Sequence, residues 1–482
     1  MTLQELVKNI PHKGRADNRK ISAITYDSRK VKPGTLFVAI SGIQADGHDF
    51  IPQAIENGAV AIISNGRSPK SSAVPVIQVK DPRSVMSHIS ADFYHNPSDN
   101  MYVVGVTGTN GKTSITHIIY HIFQQAELSC GTLGTLGFQS PSGMMSTGFT
   151  TPESVEVQQM LQTLNAAGVE NVVMEISSHA LELRRVDDVD VDVAVFTNLT
   201  PEHLDFHKNM DNYFQSKLKL FQSLPSGKLA VVNLDDAYGK QIGKHISAKV
   251  STFGLDKRAK LHPVKYELSL DQTVALLRSG KVEFEICCPL IGSYNLSNIL
   301  AATAVSLEKG VPPKIIQSAL NTLPPVPGRM EKIEADCKGM VFIDYAHTPD
   351  AYEKLFKSVL ELSGGEGAIK IVFGCGGDRD ASKRPKMAAI AEQFANDIFV
   401  TNDNPRTENQ TEIFSQILSG FSRDIHQVIP DRKEAIQTAM KSMRDDSILL
   451  ILGKGRENFQ MMGTEKVKYS DIESIKNFTN AD

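Results

Sequence analysis

Long hydrophobic runs are missing from this 482-residue chain. No stretch approaches the roughly 20 apolar residues of a membrane-crossing helix. The N-terminus, MTLQELVKNIPHKGR, has no apolar signal core, so neither membrane insertion nor secretion is expected. Cysteine is scarce: Cys130, Cys287, Cys288, Cys337 and Cys375 are an odd set with no CxxC or zinc-finger spacing. That argues against a disulfide framework and for a reducing, cytoplasmic compartment. An excess of one charge is also lacking. At a net charge of −4 there is no general basic footprint for nucleic acid or anionic lipid, so any anion-binding site must be local. Neither an internal repeat nor a long low-complexity tract is present. What remains, 41% hydrophobic and 22% charged, is the make-up of a globular chain too long for one core.

Three α/β sections are expected, at residues 1–98, 99–327 and 328–482. In the first, TLFVAI from Thr35, AVAIIS from Ala59 and VPVIQV from Val74 read as strands, with a helix in IPQAIENG between them. HNPSDN, from His95, makes a turn-rich boundary. The second section opens with YVVGVTGTNGKTS, a strand, a Gly/Thr loop and an amphipathic helix. Further strands are expected at NVVMEI (Asn171), VDVAVFTNL (Val191) and KLAVVNL (Lys228). Alternation of strands and helices predicts a mostly parallel sheet covered on both faces. LPPVPGRM, from Leu323, reads as a linker. MVFIDY (Met340), IKIVFG (Ile369), DIFVTND (Asp397) and SILLILG (Ser447) then predict a doubly wound, Rossmann-like sheet. It has no GxGxxG fingerprint, and so no reason to expect NAD.

The strongest local signal is GTNGKTS, comprising Gly108, Thr109, Asn110, Gly111, Lys112, Thr113 and Ser114, between a strand and a helix. Glycines let backbone N–H groups approach phosphate oxygens, and a helix N-terminus favours their charge. Lys112 can reach the β/γ-phosphates of a nucleotide, and Thr113 can offer its hydroxyl to Mg²⁺. The strict P-loop spacing would put a glycine where Val106 stands.

This variant, GxTGTNGKTS, resembles the loop shared by the Mur ligases and folylpolyglutamate synthetases. EISSHAL (Glu175–Leu181), FTNLTPEHLDFH (Phe196–His207), YFQSKLKLF (Tyr213–Phe221) and GSYNLSNILAA (Gly292–Ala302) follow. PGR (Pro327–Arg329), DYAHTPD (Asp344–Asp350), GCGGDRDASKRP (Gly374–Pro385), DNPR (Asp403–Arg406) and GKGRE (Gly453–Glu457) complete the series. Their order resembles the Mur ligases along nearly the whole chain, including DSRKVKPGTLFVA near the start. The resemblance implies three domains: a small N-terminal α/β domain, a central P-loop ATPase-like domain with a mostly parallel sheet, and a C-terminal Rossmann-like domain. It also implies an ATP-dependent amide ligase. A substrate carboxylate takes the γ-phosphoryl group, and an amine then displaces phosphate through a tetrahedral intermediate. The protein's part is charge neutralisation and alignment.

By this similarity Lys112, Glu175, His203 and Lys217 are catalytic, and Thr113, Glu175, His203 and Lys217 surround Mg²⁺, with Lys217 carbamylated to N6-carboxylysine. Read alone, Lys217 in QSKLKLF is a solvated helix lysine, Glu175 a loop carboxylate and His203 a surface or cap residue. Asn295 would face adenine, or cap its helix. His347 would lie near adenine and ribose, with Asp344 nearby, and Arg329 would contact phosphate. Ser28, Ile43, Gln44 and Ala45 would meet the UDP end of the precursor, and a histidine is usual in relatives where Ile43 stands. Thr150, Thr151, Ser177 and Arg185 would hold the muramoyl-dipeptide arm. The eight-residue spacing from Ser177 favours Arg185 over Arg184.

DNPR resembles the form in ligases that add meso-diaminopimelate to UDP-N-acetylmuramoyl-L-alanyl-D-glutamate. Diaminopimelate has a second carboxylate, for which Arg406 and Arg379 offer charge-assisted bonds. Asp403, Asn404, Pro405 and Gly453 would line this site, and Glu457 would meet the distal ammonium. DNPR also has the composition of a type I turn. Arg456 stands where relatives carry histidine. A lysine-adding ligase, a folylpolyglutamate synthetase-like ligase and a non-ligase ATPase or scaffold are the rival readings. A monomer is expected, as is closure of the third section on the second.

Overall fold

The computed structural model describes residues 1–42, 45–66, 72–364 and 368–478. Ile43 and Gln44 lie outside the described residues. Three main sheets follow one another along the chain. The first is four-stranded and parallel, in the order Ala23–Thr25, Thr35–Val38, Ala59–Ser64, Val76–Gln78. Thr35–Val38 is buried throughout, as a continuous apolar run in a parallel sheet should be. The helix Pro82–Phe93, capped by Asp81, packs on it.

The second sheet has eleven strands. From Leu261–Leu268 the parallel part runs through Lys249–Phe253, Leu229–Asn233, Val193–Phe196, Tyr102–Thr107 and Asn171–Glu175 to Cys130–Gly134. Antiparallel strands extend both edges: Thr273–Ser279 and Val282–Cys288 on one side, Gly137–Ser140 and Gly143–Met145 on the other. Thr273–Ser279 alternates buried and exposed residues, as an antiparallel strand with one wet face does. Helices Lys112–Gln125 and Ser293–Glu308 cover one face. Met210–Gln222 and Ser154–Ala166 cover the other.

The third sheet has six strands, in the order Glu331–Ile333, Met340–Asp344, Ile448–Leu452, Ile369–Phe373, Asp397–Val400, His426–Val428. Only the first is antiparallel. Apolar clusters lie on both of its faces, so it is doubly wound. A separate hairpin, Phe459–Met462 with Glu465–Lys468, folds over DNPR through a bridge between Arg406 and Met462. All five cysteines are free thiols. Among the described residues no helix is long and apolar enough to cross a membrane.

Candidate functional site

The phosphate loop leaves the strand Tyr102–Thr107 in the middle of the central sheet and enters the helix at Lys112. C-terminal strand ends are where α/β sheets gather ligands. Two glycines are needed for contact as well as conformation. At Gly108 (φ +149°) a Cβ would lie 1.8 Å from Thr197 Oγ1, and at Gly111 (φ +89°) 2.4 Å from Asn298 Oδ1. Val106 belongs to the strand and is fully buried, so the loop turns without a glycine there.

Two amines meet on one carbonyl. Lys112 Nζ donates to the carbonyls of Gly108 and Thr109, both at 2.9 Å. Lys217 Nζ donates to that of Gly108 at 2.8 Å. Lys217 is 1% exposed on the helix Met210–Gln222, not solvated. Burial, reinforced by the charge of Lys112, drives its pKa well below the usual lysine value. Its ammonium lies 4.6 Å from the centre of the Tyr213 ring, whose hydroxyl is 3.2 Å from Thr109 Oγ1.

Glu175 ends the neighbouring strand Asn171–Glu175 and is buried. Its carboxylate accepts from Thr113 Oγ1 at 3.0 Å, Thr135 N at 2.8 Å and Thr135 Oγ1 at 3.1 Å. Thr113 and Glu175 thus pair hard oxygen donors beside the loop, a set that fits Mg²⁺. His203, with φ +56° and a half-exposed ring, has Glu202 as its carboxylate neighbour, at 3.8 Å. Among the described residues no group of three His, Cys, Asp or Glu side chains is assembled to hold a metal.

Glu202 is the residue the sequence reading passed over. Burial raises its pKa, but His203, Lys112, His347 and Lys217 outweigh burial and hold it below the usual value. The available signal was an acidic residue directly before His203. Arg329 Nη2 donates to Thr113 Oγ1 at 3.2 Å and its guanidinium lies over the Tyr345 ring. His347 Nδ1 is 2.8 Å from the Tyr345 carbonyl, and burial, then Lys383, lowers its pKa. Asp344 accepts from the N–H groups of Met330 and Ala346. Asn295 does not cap its helix, whose N-cap is Gly292. It is buried, donating to the Ile291 carbonyl at 2.9 Å and accepting from Asn298 Nδ2 at 3.0 Å.

Thr151, Ser177 and Arg185 converge on the same strand end. Thr151 Oγ1 donates to the Glu175 carbonyl at 2.8 Å and accepts from Ser177 N at 3.1 Å. Thr150 Oγ1 lies 3.1 Å from Thr135 Oγ1. Arg185 donates to the Thr151 carbonyl at 2.9 Å and pairs with Glu153 at 2.8 Å, while its buried Nε lacks a partner. Arg184 turns away to Asp81 and Asp187. Ser28 is in the N-terminal section, where its hydroxyl donates to Gln53 Oε1 at 2.8 Å, and the Ala45 carbonyl accepts from Gly42.

In the third section DNPR is not a type I turn. The turn closes two residues later, from Glu408 N to the Pro405 carbonyl at 3.2 Å, and Arg406, its second residue, has φ +53°. Arg406 is half-buried and donates to the Gly377 carbonyl at 2.7 Å. Among the described residues it has no carboxylate partner within ion-pair distance, and Arg379 nearby is exposed. Glu457 is engaged by Lys454 at 2.8 Å and Asn404 at 2.9 Å. A Cβ on Gly453 would lie 2.5 Å from Asp403 Oδ2. Arg456, in place of the usual histidine, pairs with buried Glu331, which also accepts from Gly328 N and so ties this loop to the PGR segment.

Three family descriptions match the chain: "Mur ligase family, catalytic domain" over residues 20–94, "Mur ligase middle domain" over 106–306, and "Mur ligase, glutamate ligase domain" over 328–455. A UDP-N-acetylmuramoyl-L-alanyl-D-glutamate--2,6-diaminopimelate ligase of Syntrophomonas wolfei is 40% identical over 479 residues, covering 98% of this chain and 97% of its own. A solved structure of a ligase of that name superposes with a TM-score of 0.71 at 30% identity, covering 98% of both chains. The MurF ligase of Thermotoga maritima in complex with ADP shares the fold at a TM-score of 0.63 and 20% identity, covering 90% of this chain and 94% of its own.

Proposed function

The chain belongs to the Mur ligase family, and on that premise we propose that it joins meso-2,6-diaminopimelate to UDP-N-acetylmuramoyl-L-alanyl-D-glutamate, using ATP, in peptidoglycan synthesis. Residues 1–98 take the UDP end of the precursor, 99–327 take ATP and 328–482 take the amino acid. The chain works as a cytoplasmic monomer.

The reacting carboxylate of the precursor attacks the γ-phosphorus, the bond to the β-phosphate oxygen breaks, and ADP leaves an acyl phosphate. The amine of the acceptor adds to that carbonyl, and collapse of the tetrahedral intermediate expels phosphate as the nitrogen loses a proton. Lys112 gives up its two carbonyl partners for the phosphates, and Arg329 reaches them from the linker. Thr113, Glu175, His203 and Lys217 would hold Mg²⁺, which neutralises phosphate charge. Burial favours the neutral form of the Lys217 amine, the form that adds to CO₂ and, on losing a proton, becomes a carbamate anion able to ligate the metal. Asn295 and His347 lie toward the nucleoside, and Ser28 and Ala45 toward uridine. Thr150, Thr151, Ser177 and Arg185 align the peptide arm.

The acceptor assignment is carried by Arg406, a half-buried guanidinium without a carboxylate partner among the described residues. Left unmatched by lysine, it would favour the acceptor that brings a second carboxylate. Heavy oxygen placed in the precursor's reacting carboxylate should appear in the released phosphate. Unlabelled phosphate would overturn the acyl-phosphate route.

A further inference from the structure

Two loops form the acceptor end of the third section. One, around Gly376–Asp380, carries Arg379, and the other, Asn404–Glu408, carries Arg406. Both presented groups are cations. Arg406 is held below its usual pKa first by burial and then by the charge of Arg379. Like charges presented from two loops push those loops apart, so something must hold them together before an anion arrives.

The hydrogen bonds show what does. Gly377 N donates to the Asn404 carbonyl at 2.9 Å, and Arg406 Nη1 returns a bond to the Gly377 carbonyl at 2.7 Å. Asp378 N donates to Glu408 Oε2 at 2.9 Å. The Asp378 carboxylate in turn accepts from Thr407 N at 3.1 Å and Thr407 Oγ1 at 2.9 Å. The backbones are packed so closely that a Cβ on Gly377 would lie 1.8 Å from the Pro405 carbonyl oxygen. Beneath both loops lies Arg384, 0% exposed. Its guanidinium grips both oxygens of Glu408, with Nη2 to Oε2 at 2.7 Å, and donates to the Gly376 carbonyl at 3.0 Å. One side chain therefore ties the carboxylate of the second loop to the backbone of the first.

We propose that Arg384 and Glu408 are positioning residues for acceptor choice. Together with the Asp378–Thr407 contact, they set the separation of Arg379 and Arg406 to match the second carboxylate of a diamino diacid. The pair touches no acceptor itself. It acts through the guanidinium of Arg406, whose direction is fixed by the Gly377 carbonyl. A site of this kind tolerates little displacement, because a shift of about 1 Å in an aligned group costs on the order of 10²-fold.

The inference rests on diaminopimelate being the acceptor, so its test keeps the two apart. Glu408→Gln and Thr407→Val are compared with Arg406→Ala in the full-length enzyme, measuring kcat and KM for diaminopimelate, lysine and ATP. Glu408→Gln keeps shape but weakens the grip of Arg384. Thr407→Val removes one exposed bond, and so reports even where the first variant folds poorly. Both should raise KM for diaminopimelate, by about tenfold or more for Glu408→Gln, and lower the preference for diaminopimelate over lysine. KM for ATP should stay within about twofold, since the phosphate loop is on another sheet. Unchanged diaminopimelate parameters in both variants, or a parallel loss toward ATP, would overturn the positioning role even where Arg406→Ala abolishes the preference. If Arg406→Ala leaves the preference intact, the acceptor reading falls and this inference with it.

Discussion

A lysine with 1% exposure and, among the described residues, a carbonyl for its hydrogen-bond partner is costly unless its charge is given up or put to use. Lys217 therefore ties stability to function. Its pKa is lowered in the folded state, so in CO₂-free buffer the folded chain binds fewer protons than the unfolded chain between that lowered value and 10.5. Stability should rise with pH through this window. Lys217→Met should remove the slope, raise Tm at neutral pH and lower ligation by about 10²–10³-fold, the scale of losing one charge-stabilising group. A thermal melt across pH with a parallel activity assay checks both. An unchanged slope, or a fully active variant, would take Lys217 out of this role. Lys217→Ala should likewise lose ligation and be partly rescued by bicarbonate. From the sequence, QSKLKLF reads as a wet helix face, because nothing local says which side of that helix meets the phosphate loop. Glu202 was missed for the same reason. Its partners are set by packing between segments far apart in the chain.

Elements were legible where both faces of a strand are buried. TLFV, VVGVT, NVVME and ILLIL are near-continuous apolar runs, and each is a parallel strand. The antiparallel extensions were not legible, since polar residues interrupt their apolar ones and exposed positions alternate with buried ones. The DNPR segment shows another limit. Its composition favours a type I turn, but Met461 and Gly463 of the neighbouring hairpin bond the Arg406 N–H and carbonyl, and the turn moves to Pro405–Glu408. One buried ion pair fixes a further element. Arg432 on the helix Arg432–Lys441 forms a two-bond fork with Asp471 on Asp471–Lys476, both fully buried, and also donates to the Leu452 carbonyl. Arg432→Met strands the Asp471 charge and should cost about 3–5 kcal/mol in denaturant unfolding. The double variant Arg432→Met/Asp471→Leu should recover much of that loss. A single variant costing under about 1 kcal/mol would contradict this account of the pair.

At the scale of the whole molecule, the third section reaches the loop that would carry ATP, while the first meets the second around the helix Ser154–Ala166. Asp350 of the third section accepts from Asn110 Nδ2 of the phosphate loop at 3.0 Å and from Thr200 Oγ1 at 2.9 Å. Arg83 and Arg185, from the first and second sections, share Glu153. Asp350→Ala should raise KM for ATP by about tenfold, the scale of losing hydrogen bonds to a charged group. It should also enlarge the molecule in small-angle scattering, and unchanged values of both would remove Asp350 from interdomain coupling. The central claim, an ATP-dependent ligase whose Arg406 selects the acceptor, is met most directly by one assay. Phosphate release is followed with UDP-N-acetylmuramoyl-L-alanyl-D-glutamate and either meso-diaminopimelate or L-lysine. The account expects phosphate and amide product with diaminopimelate and little with lysine. Equal or faster turnover with lysine would contradict it.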